Sequence, residues 1–226
     1  MSELYLIRHA QASFGSDNYD QLSPLGEKQA QHLGDYLRER SLKFDAVYTG
    51  SLTRQLQTLN LSTEYSKESH QVLTGLNEYN FVDLNLCYAL QNPGDELVLQ
   101  LNQKPVEKKT YFRLLRKVLI AWSKGDLIHA KESWPEFKNR VLAARLRIQN
   151  SGSERKVLAI SSGGAINQFI ATILDLSPEH TVELNLQMRN CSITRLYFNE
   201  KSISLSGFNM TPHLDQFNDP DLITYG

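Results

Sequence analysis

The segment Leu4-Tyr5-Leu6-Ile7-Arg8-His9-Ala10 begins with a short apolar run that ends abruptly in an arginine and a histidine. This pattern is typical of a buried strand that delivers polar groups at its carboxyl end. The run from Val157 to Ile160 ends in the same way, at Ser161-Ser162-Gly163-Gly164. Ligands bind at the carboxyl ends of strands in open α/β sheets. If the two strands are neighbours, both polar segments face one crevice.

The first 80 residues alternate between strand and helix patterns. After a polar loop over 11–21, Ser23-Pro24 is typical of an N-cap followed by the first residue of a helix, which continues to about Arg40. A strand over 45–49, a helix over 51–65 and a strand that opens at Val72 follow. This β-α-β-α-β order predicts an α/β fold with a mostly parallel sheet and helices on both faces.

The segment 82–150 has at least two helical patterns and no strong strand, so we predict a helical cap or insertion within a single domain over residues 1–226. A helix over 165–174 and a closing hairpin over 193–205 complete the predicted elements. The basic side chains of the insertion form either a solvated helix face or a lid for a substrate with a second anionic group. They are Lys104, Lys108, Lys109, Arg113, Arg116, Lys117 and Lys124.

The composition excludes several classes of protein. The chain has 226 residues, 41% of them hydrophobic, which suits one substantial core. A formal net charge of −1 provides no global field for nucleic acid or an anionic membrane, so we expect neither as a partner. No apolar run could span a bilayer, and the N-terminus lacks a signal-peptide pattern. Since Cys87 and Cys191 offer no disulfide framework, we expect a cytoplasmic protein.

The Arg8-His9 pair has two interpretations. At a strand end, a neutral imidazole can attack phosphorus while the guanidinium neutralises the phosphoryl oxygens. Alternatively, the pair is a surface arginine and a buried histidine whose hydrogen bonds are satisfied. The remaining histidines have no spacing that would build a metal site, and no glycine-rich nucleotide loop is present. We therefore expect no metal and no cofactor.

Several further motifs, in their order along the chain, resemble those of the histidine phosphatase superfamily, which includes the phosphoglycerate mutases. The resemblance covers roughly residues 4–80 and 155–215 and leaves the helical middle nearly unmatched. The motifs are Leu4 to His9, Leu22 to Ala30, Val47 to Thr58, Leu76-Asn77-Glu78, Val157 to Gly164 and Asn190 to Thr194.

The resemblance implies a role for each matching residue. His9 is the nucleophile that becomes phosphohistidine, Arg8 and Arg54 clamp the phosphoryl group, and Glu78 is the general acid for the leaving oxygen. Phosphoryl transfer depends mostly on positioning and electrostatic stabilisation, so converging cations can replace a metal. The implied activity is that of a metal-independent phosphomonoesterase acting on a small phosphorylated substrate.

Two positions depart from the resembled pattern. Ala10 stands where the first motif usually has glycine, and Ser162 stands where the family has its second catalytic histidine. Ser162 can donate one hydrogen bond, and the N–H groups from Gly163 onward favour an anion, but neither supplies a charge. Losing one such donor costs about 10²–10³ in rate. We therefore expect an attenuated phosphatase; the alternatives are an inactive phosphoester-binding regulatory protein and a phosphoglycerate mutase.

Overall fold

A computed structural model describes residues 1–13, 20–64, 70–101, 107–152 and 155–225. Most of the predicted loop over 11–21, Tyr65 at the end of the predicted second helix, and Lys104 lie outside these ranges.

A six-stranded sheet forms the centre of the molecule, in the order β3-β2-β4-β1-β5-β6. The first four strands in that order run parallel, whereas β5 and β6 are antiparallel to their neighbours. This confirms the predicted mostly parallel α/β fold. The strands are β1 (Ser2–Arg8), β2 (Ala46–Thr49), β3 (Gln71–Val72), β4 (Lys156–Ser161), β5 (Ile193–Phe198) and β6 (Ile203–Met210).

The two strands with polar ends are direct neighbours. β1 pairs with β4 in parallel, and Arg8 lies opposite Ser161 at the carboxyl edge. The two polar segments therefore lie side by side at the carboxyl edge of the sheet, as expected for neighbouring strands.

Helices cover both faces of the sheet, as the strand patterns predicted. The helices are α1 (Pro24–Glu39), α2 (Thr53–Ser62), α3 (Phe81–Gln91), α4 (Glu96–Leu101), α5 (Lys108–Lys124), α6 (Trp134–Gln149), α7 (Gly163–Leu174), α8 (Pro178–Leu186) and α9 (Pro212–Asp215). Alternate β1 residues face opposite sides: Tyr5 and Ile7 pack with α1 and α2, whereas Leu4 and Leu6 pack in the cluster that includes α5, α6 and α7.

The helical segment 82–150 carries α3 to α6, and the described part of it contains no strand. Three basic side chains of α5 form ion pairs: Arg116 with Glu183, Lys117 with Asp95 and Lys124 with Glu179. This pairing favours the interpretation as a solvated face over that as an anion-binding lid. In the described ranges, no helix is both long and apolar enough to cross a membrane.

The start of α7 and the presence of α8 differ from the sequence prediction. α7 begins at Gly163 rather than Ala165, so Ser162 occupies its N-cap position. α8 was not predicted, although Ser177 accepts a hydrogen bond from the His180 N–H and Pro178 follows it, as at α1.

Candidate active site

His9 follows β1 directly, and its ring is almost completely buried. Nδ1 lies 2.7 Å from the Ala10 carbonyl oxygen, which can only accept, so Nδ1 carries the proton. Nε2 therefore keeps its lone pair and accepts a hydrogen bond from Arg54 Nε at 3.1 Å. Burial, and then the positive charges of Arg54 and Arg8, hold the His9 pKa well below its ordinary value. His9 is thus a neutral imidazole whose unprotonated nitrogen is Nε2.

Arg54 lies in the first turn of α2, where the helix start aims its side chain toward the carboxyl end of β1. Its Nη1 donates to Asp20 Oδ1 at 2.6 Å, and the other oxygen of Asp20 accepts from the Thr53 N–H at 2.9 Å. Asp20 therefore caps the helix and orients the guanidinium together. Thr58 supports the same region, since its Oγ1 accepts from the Ala10 N–H and donates to the Arg54 carbonyl.

Arg8 ends β1 and donates from Nη1 to the Met188 carbonyl. A Cβ added to Gly163 would lie 3.4 Å from Arg8 Nε, so the guanidinium borders the start of α7. The charges of Arg8 and Arg54 both act on His9 and on Glu78. The structure thus brings the two predicted arginines, the predicted nucleophile and the predicted acid into one cluster.

Glu78 follows a short 3₁₀ turn, Thr74–Leu76; part of the residue is exposed, but its carboxyl group is buried. Its Oε2 accepts from the Gly164 N–H at 3.0 Å, and its Oε1 from the Tyr79 N–H at 3.2 Å. Burial raises the Glu78 pKa and outweighs the opposing effects of these bonds and of the arginine charges. A raised pKa is the direction that a general acid working near neutral pH requires.

Ser162 is fully buried, and its Oγ lies 2.9 Å from Gln55 Nε2, which donates to it. Because the serine oxygen accepts this bond, its own proton remains available for another acceptor. Gln55 Nε2 also donates to the Leu76 carbonyl at 2.9 Å. Gln55 therefore connects Ser162 to the segment that carries Glu78.

Sequence reasoning missed Asp20 and Gln55. Asp20 lies in a polar loop, where an aspartate is common and gives no indication of a functional contact. Gln55 follows Arg54 in a helix, and a glutamine there would ordinarily be assigned to the solvated face. Its close approach to Gly50, where an added Cβ would lie 2.0 Å from Gln55 Oε1, is visible only in the structure.

The cluster has the groups that binding and nucleophilic attack on a tetrahedral phosphoryl group require. It combines two guanidiniums, a neutral imidazole with an unprotonated Nε2, and a carboxyl group with a raised pKa. In the described ranges, no group of three or more His, Cys, Asp or Glu side chains is arranged to hold a metal ion.

Known proteins match this chain in sequence over nearly its whole length. A model of the histidine phosphatase superfamily (branch 1) matches residues 4–89 and 101–211, so it also covers most of the helical segment 82–150, which the motifs had left nearly unmatched. A probable phosphoglycerate mutase GpmB from Yersinia enterocolitica is 25% identical in an alignment of 226 positions that covers 95% of this chain and 96% of the relative. A corresponding protein from Yersinia pestis is 26% identical with the same coverage.

Solved structures share the fold. A phosphoserine phosphatase mutant from Entamoeba histolytica, in complex with phosphoserine, has a TM-score of 0.66 at 20% identity, with 95% of this chain and 100% of that chain covered. Phosphoglycerate mutase from Bacillus anthracis has a TM-score of 0.65 at 18% identity, with 96% and 97% covered. Since the family model spans most of the sequence, the chain belongs to the histidine phosphatase superfamily.

Proposed function

We propose that this protein is a metal-independent phosphomonoesterase that acts through a phosphohistidine on a small phosphorylated substrate, at a rate attenuated by Ser162. The observation that carries the proposal is the fixed tautomer of His9, whose Nδ1–H is held by Ala10 while Nε2 faces Arg54. Only this tautomer leaves the Nε2 lone pair available for attack.

In the first step, His9 Nε2 forms a bond to phosphorus and the bond to the leaving oxygen breaks. Glu78 transfers its proton to that oxygen. Arg54, which donates to Nε2 in the free site, shifts its hydrogen bond to a phosphoryl oxygen, and Arg8 neutralises another. The Ser162 hydroxyl and the Gly163 N–H donate to the remaining phosphoryl oxygen.

In the second step, water attacks the phosphohistidine. The Glu78 carboxylate takes a proton from that water, the bond between Nε2 and phosphorus breaks, and inorganic phosphate leaves. His9 returns to its neutral form and Glu78 is protonated again. One carboxyl group serves as acid and then as base, which suits a group whose pKa is raised toward neutrality.

The attenuation follows from the group at position 162. A serine hydroxyl supplies a neutral donor where the resemblance implies a histidine, and a missing charged donor costs about 10²–10³ in rate. The hydrogen bond from Gln55 holds the Ser162 oxygen in place and so orients the hydroxyl group that donates to the phosphoryl oxygen.

The test is to trap the intermediate with a ³²P-labelled aryl phosphate in the presence of a chelator. We expect an acid-labile, base-stable label on His9 and phosphate release that EDTA does not affect. His9→Ala should abolish both, whereas His180→Ala, which changes an exposed histidine on α8, should change neither. Chelator-sensitive turnover would falsify the mechanism, and phosphate binding without turnover would favour the regulatory protein.

Phosphoglycerate mutase is the second candidate function, because the curated relatives carry that name as probable. A mutase must retain and reorient a bisphosphate intermediate. A site with a serine where the resemblance implies a histidine has one positive charge fewer and binds such an intermediate less tightly. A coupled assay with 3-phosphoglycerate separates the two activities. Conversion to 2-phosphoglycerate that exceeds phosphate release would favour the mutase.

A further inference from the structure

The Glu78 segment lies against α6 of the helical segment 82–150. The closest approach is at Gly75, where an added Cβ would lie 2.2 Å from the Arg140 carbonyl oxygen. Only glycine, which has no Cβ, fits at that distance. The backbone of the 3₁₀ turn therefore packs directly on the helix.

The Arg140 side chain then reaches along the same segment. Its Nη1 donates to the Asn77 carbonyl at 2.8 Å and to the Thr74 carbonyl at 3.3 Å, and its Nη2 lies 3.4 Å from the Glu78 carbonyl. One guanidinium therefore holds the backbone both before and at the proposed general acid.

Glu132 fixes the orientation of this guanidinium. Its Oε2 accepts from Arg140 Nη2 at 2.9 Å, and its Oε1 accepts from Nε, which makes a two-point pair. Trp122 Nε1 in turn donates to the Glu132 carbonyl at 2.8 Å. The guanidinium is planar, so when Glu132 binds the edge formed by Nε and Nη2, the edge formed by Nη1 and Nη2 points at the Asn77 and Glu78 carbonyls. A lysine ammonium has no such planar arrangement of donors.

We propose that Arg140, oriented by Glu132, is a positioning residue for Glu78, so that the helical segment 82–150 sets the place of the proton donor. The inference rests on the proposed function. Glu78 must reach the leaving oxygen within hydrogen-bond distance, and a misplacement of about 1 Å can cost about 10²-fold. Arg140 touches neither substrate nor His9, and acts through the backbone that it holds.

The first experiment compares two substrates that differ in their need for an acid. Phenyl phosphate has a poor leaving group and p-nitrophenyl phosphate a good one. We expect Arg140→Gln to lower kcat for phenyl phosphate about 10-fold to 10²-fold, and that for p-nitrophenyl phosphate by less than about threefold. Arg140→Lys keeps the charge but not the planar fork, and should behave like Arg140→Gln. Glu132→Gln should give a smaller effect of the same kind.

Arg145→Gln is the matched control. Arg145 lies on the same helix and also donates to a carbonyl, that of Thr172 on α7, at 3.1 Å. The same substitution there removes a comparable bond away from Glu78. We expect its effect, if any, to be equal for both substrates. An equal loss on both substrates in a folded Arg140→Gln protein would overturn the proposal.

A second measurement does not require turnover. The Glu78 carboxyl is followed by ¹³C NMR as pH is varied, with Glu78→Gln used to assign its signal. If Arg140 holds the carboxyl in its buried place, Arg140→Gln should lower the Glu78 pKa toward its ordinary value, because the displaced carboxyl gains water. Loss of a positive charge alone would raise it. An unchanged or raised pKa overturns the positioning role, whereas absence of His9-dependent turnover in the wild type overturns only the proposed function.

Discussion

His9 and Glu78 reach the same site with different kinds of support. His9 follows a strand that is paired on both sides, by β4 and by β5, and its ring is fixed by the carbonyl of the next residue. Glu78 follows a short turn whose position depends on side chains from three distant elements: Gln55, Ser161 and Arg140. The proposed nucleophile is thus placed by backbone pairing within the sheet, whereas the proposed acid is placed by side-chain hydrogen bonds from separate elements.

The difference predicts separable losses. Damage around His9 should affect every substrate, because each one needs the nucleophile. Damage around Glu78 should depend on the leaving group, because a good leaving group departs without a proton.

The largest expected effect is that of Glu78→Gln on a poor leaving group. The amide oxygen can still accept from the Gly164 N–H, so the fold is retained while the proton donor is lost. We expect kcat for phenyl phosphate to fall about 10²–10⁴-fold, and that for p-nitrophenyl phosphate much less. Equal losses would contradict the division between the two regions.

The same variant has a signature in the pH profile. Because the Glu78 pKa is raised, the protonated acid persists to higher pH than for an ordinary glutamate. The wild-type rate on phenyl phosphate should fall as pH rises through that pKa, and Glu78→Gln should lack this alkaline limb. If the rate of Glu78→Gln still falls at alkaline pH, that decrease must come from the titration of another group.

The next effect is that of Arg54→Ala, on the nucleophile side. Removing one guanidinium from the phosphoryl oxygens should cost about 10²–10³ in kcat, equally for both substrates. Burial is the main cause of the low His9 pKa and the Arg54 charge is the second, so this variant should also raise the His9 pKa. His9 should then become protonated at a higher pH, which moves the acid limb of the profile upward. A loss of kcat that varies with the leaving group would contradict this interpretation.

The sequence indicates the position of Arg8 and His9 more directly than the contacts that hold Glu78, for a physical reason. Arg8 and His9 follow an apolar run, and Ser23-Pro24 is a local helix start, so both can be recognised from neighbouring residues. Helix α8 carried the same Ser-Pro signal, but its weakly apolar pattern hid it. The mostly parallel sheet was predicted from the alternation of strand and helix patterns, which is also recognised from neighbouring residues.

The support of Glu78 could not be predicted in the same way. Glu132 and Arg140 appear in the sequence as a loop acid and a helix cation eight positions apart, and neither indicates that the pair faces residues 74–78. Gln55 and Ser162 are separated by 107 positions, and their hydrogen bond exists only because α2 and α7 start at the same sheet edge. The roles of His9, Arg8, Arg54, Glu78, Ser162 and Gly163 stay predictions.

Two adjacent glycines offer a direct test of the two regions. A Cβ on Gly164 would lie 2.3 Å from both Glu78 Oε1 and Tyr79 Cε1, whereas one on Gly163 would meet Asn185 Oδ1 at 2.8 Å and Arg8 Nε at 3.4 Å. Alanine is normally favoured over glycine in a helix by about 1 kcal/mol, so the glycine at 164 reflects this close approach.

We expect Gly164→Ala to displace the acid and lower kcat for phenyl phosphate by up to about 10²-fold, with a stability loss of roughly 1–3 kcal/mol. Gly163→Ala meets mainly the end of a movable side chain, and should cost less and affect both substrates alike. Thermal unfolding and the ratio of the two substrates measure both quantities. The reverse pattern would mean that the Glu78 segment can shift without consequence.

The smallest expected effect is a gain, from adding the charge that position 162 lacks. Gln55 Nε2 lies 2.9 Å from Ser162 Oγ, so an imidazole built at residue 162 meets the Gln55 amide, and Ser162→His alone should be destabilised by about 1–3 kcal/mol with little gain. The double variant Gln55→Ala/Ser162→His makes room for the ring, which the phosphoryl dianion would protonate. It also loses the bond from Gln55 to the Leu76 carbonyl, which helps to hold the Glu78 segment. We therefore expect a gain of about tenfold in kcat on p-nitrophenyl phosphate, below the 10²–10³ that a preorganised donor can supply, and less on phenyl phosphate.

Gln55→Ala alone is the control and should lower the phenyl phosphate rate. A folded double variant with no increase in His9-dependent turnover would mean that Ser162, held by Gln55, already supplies what the phosphoryl oxygens need.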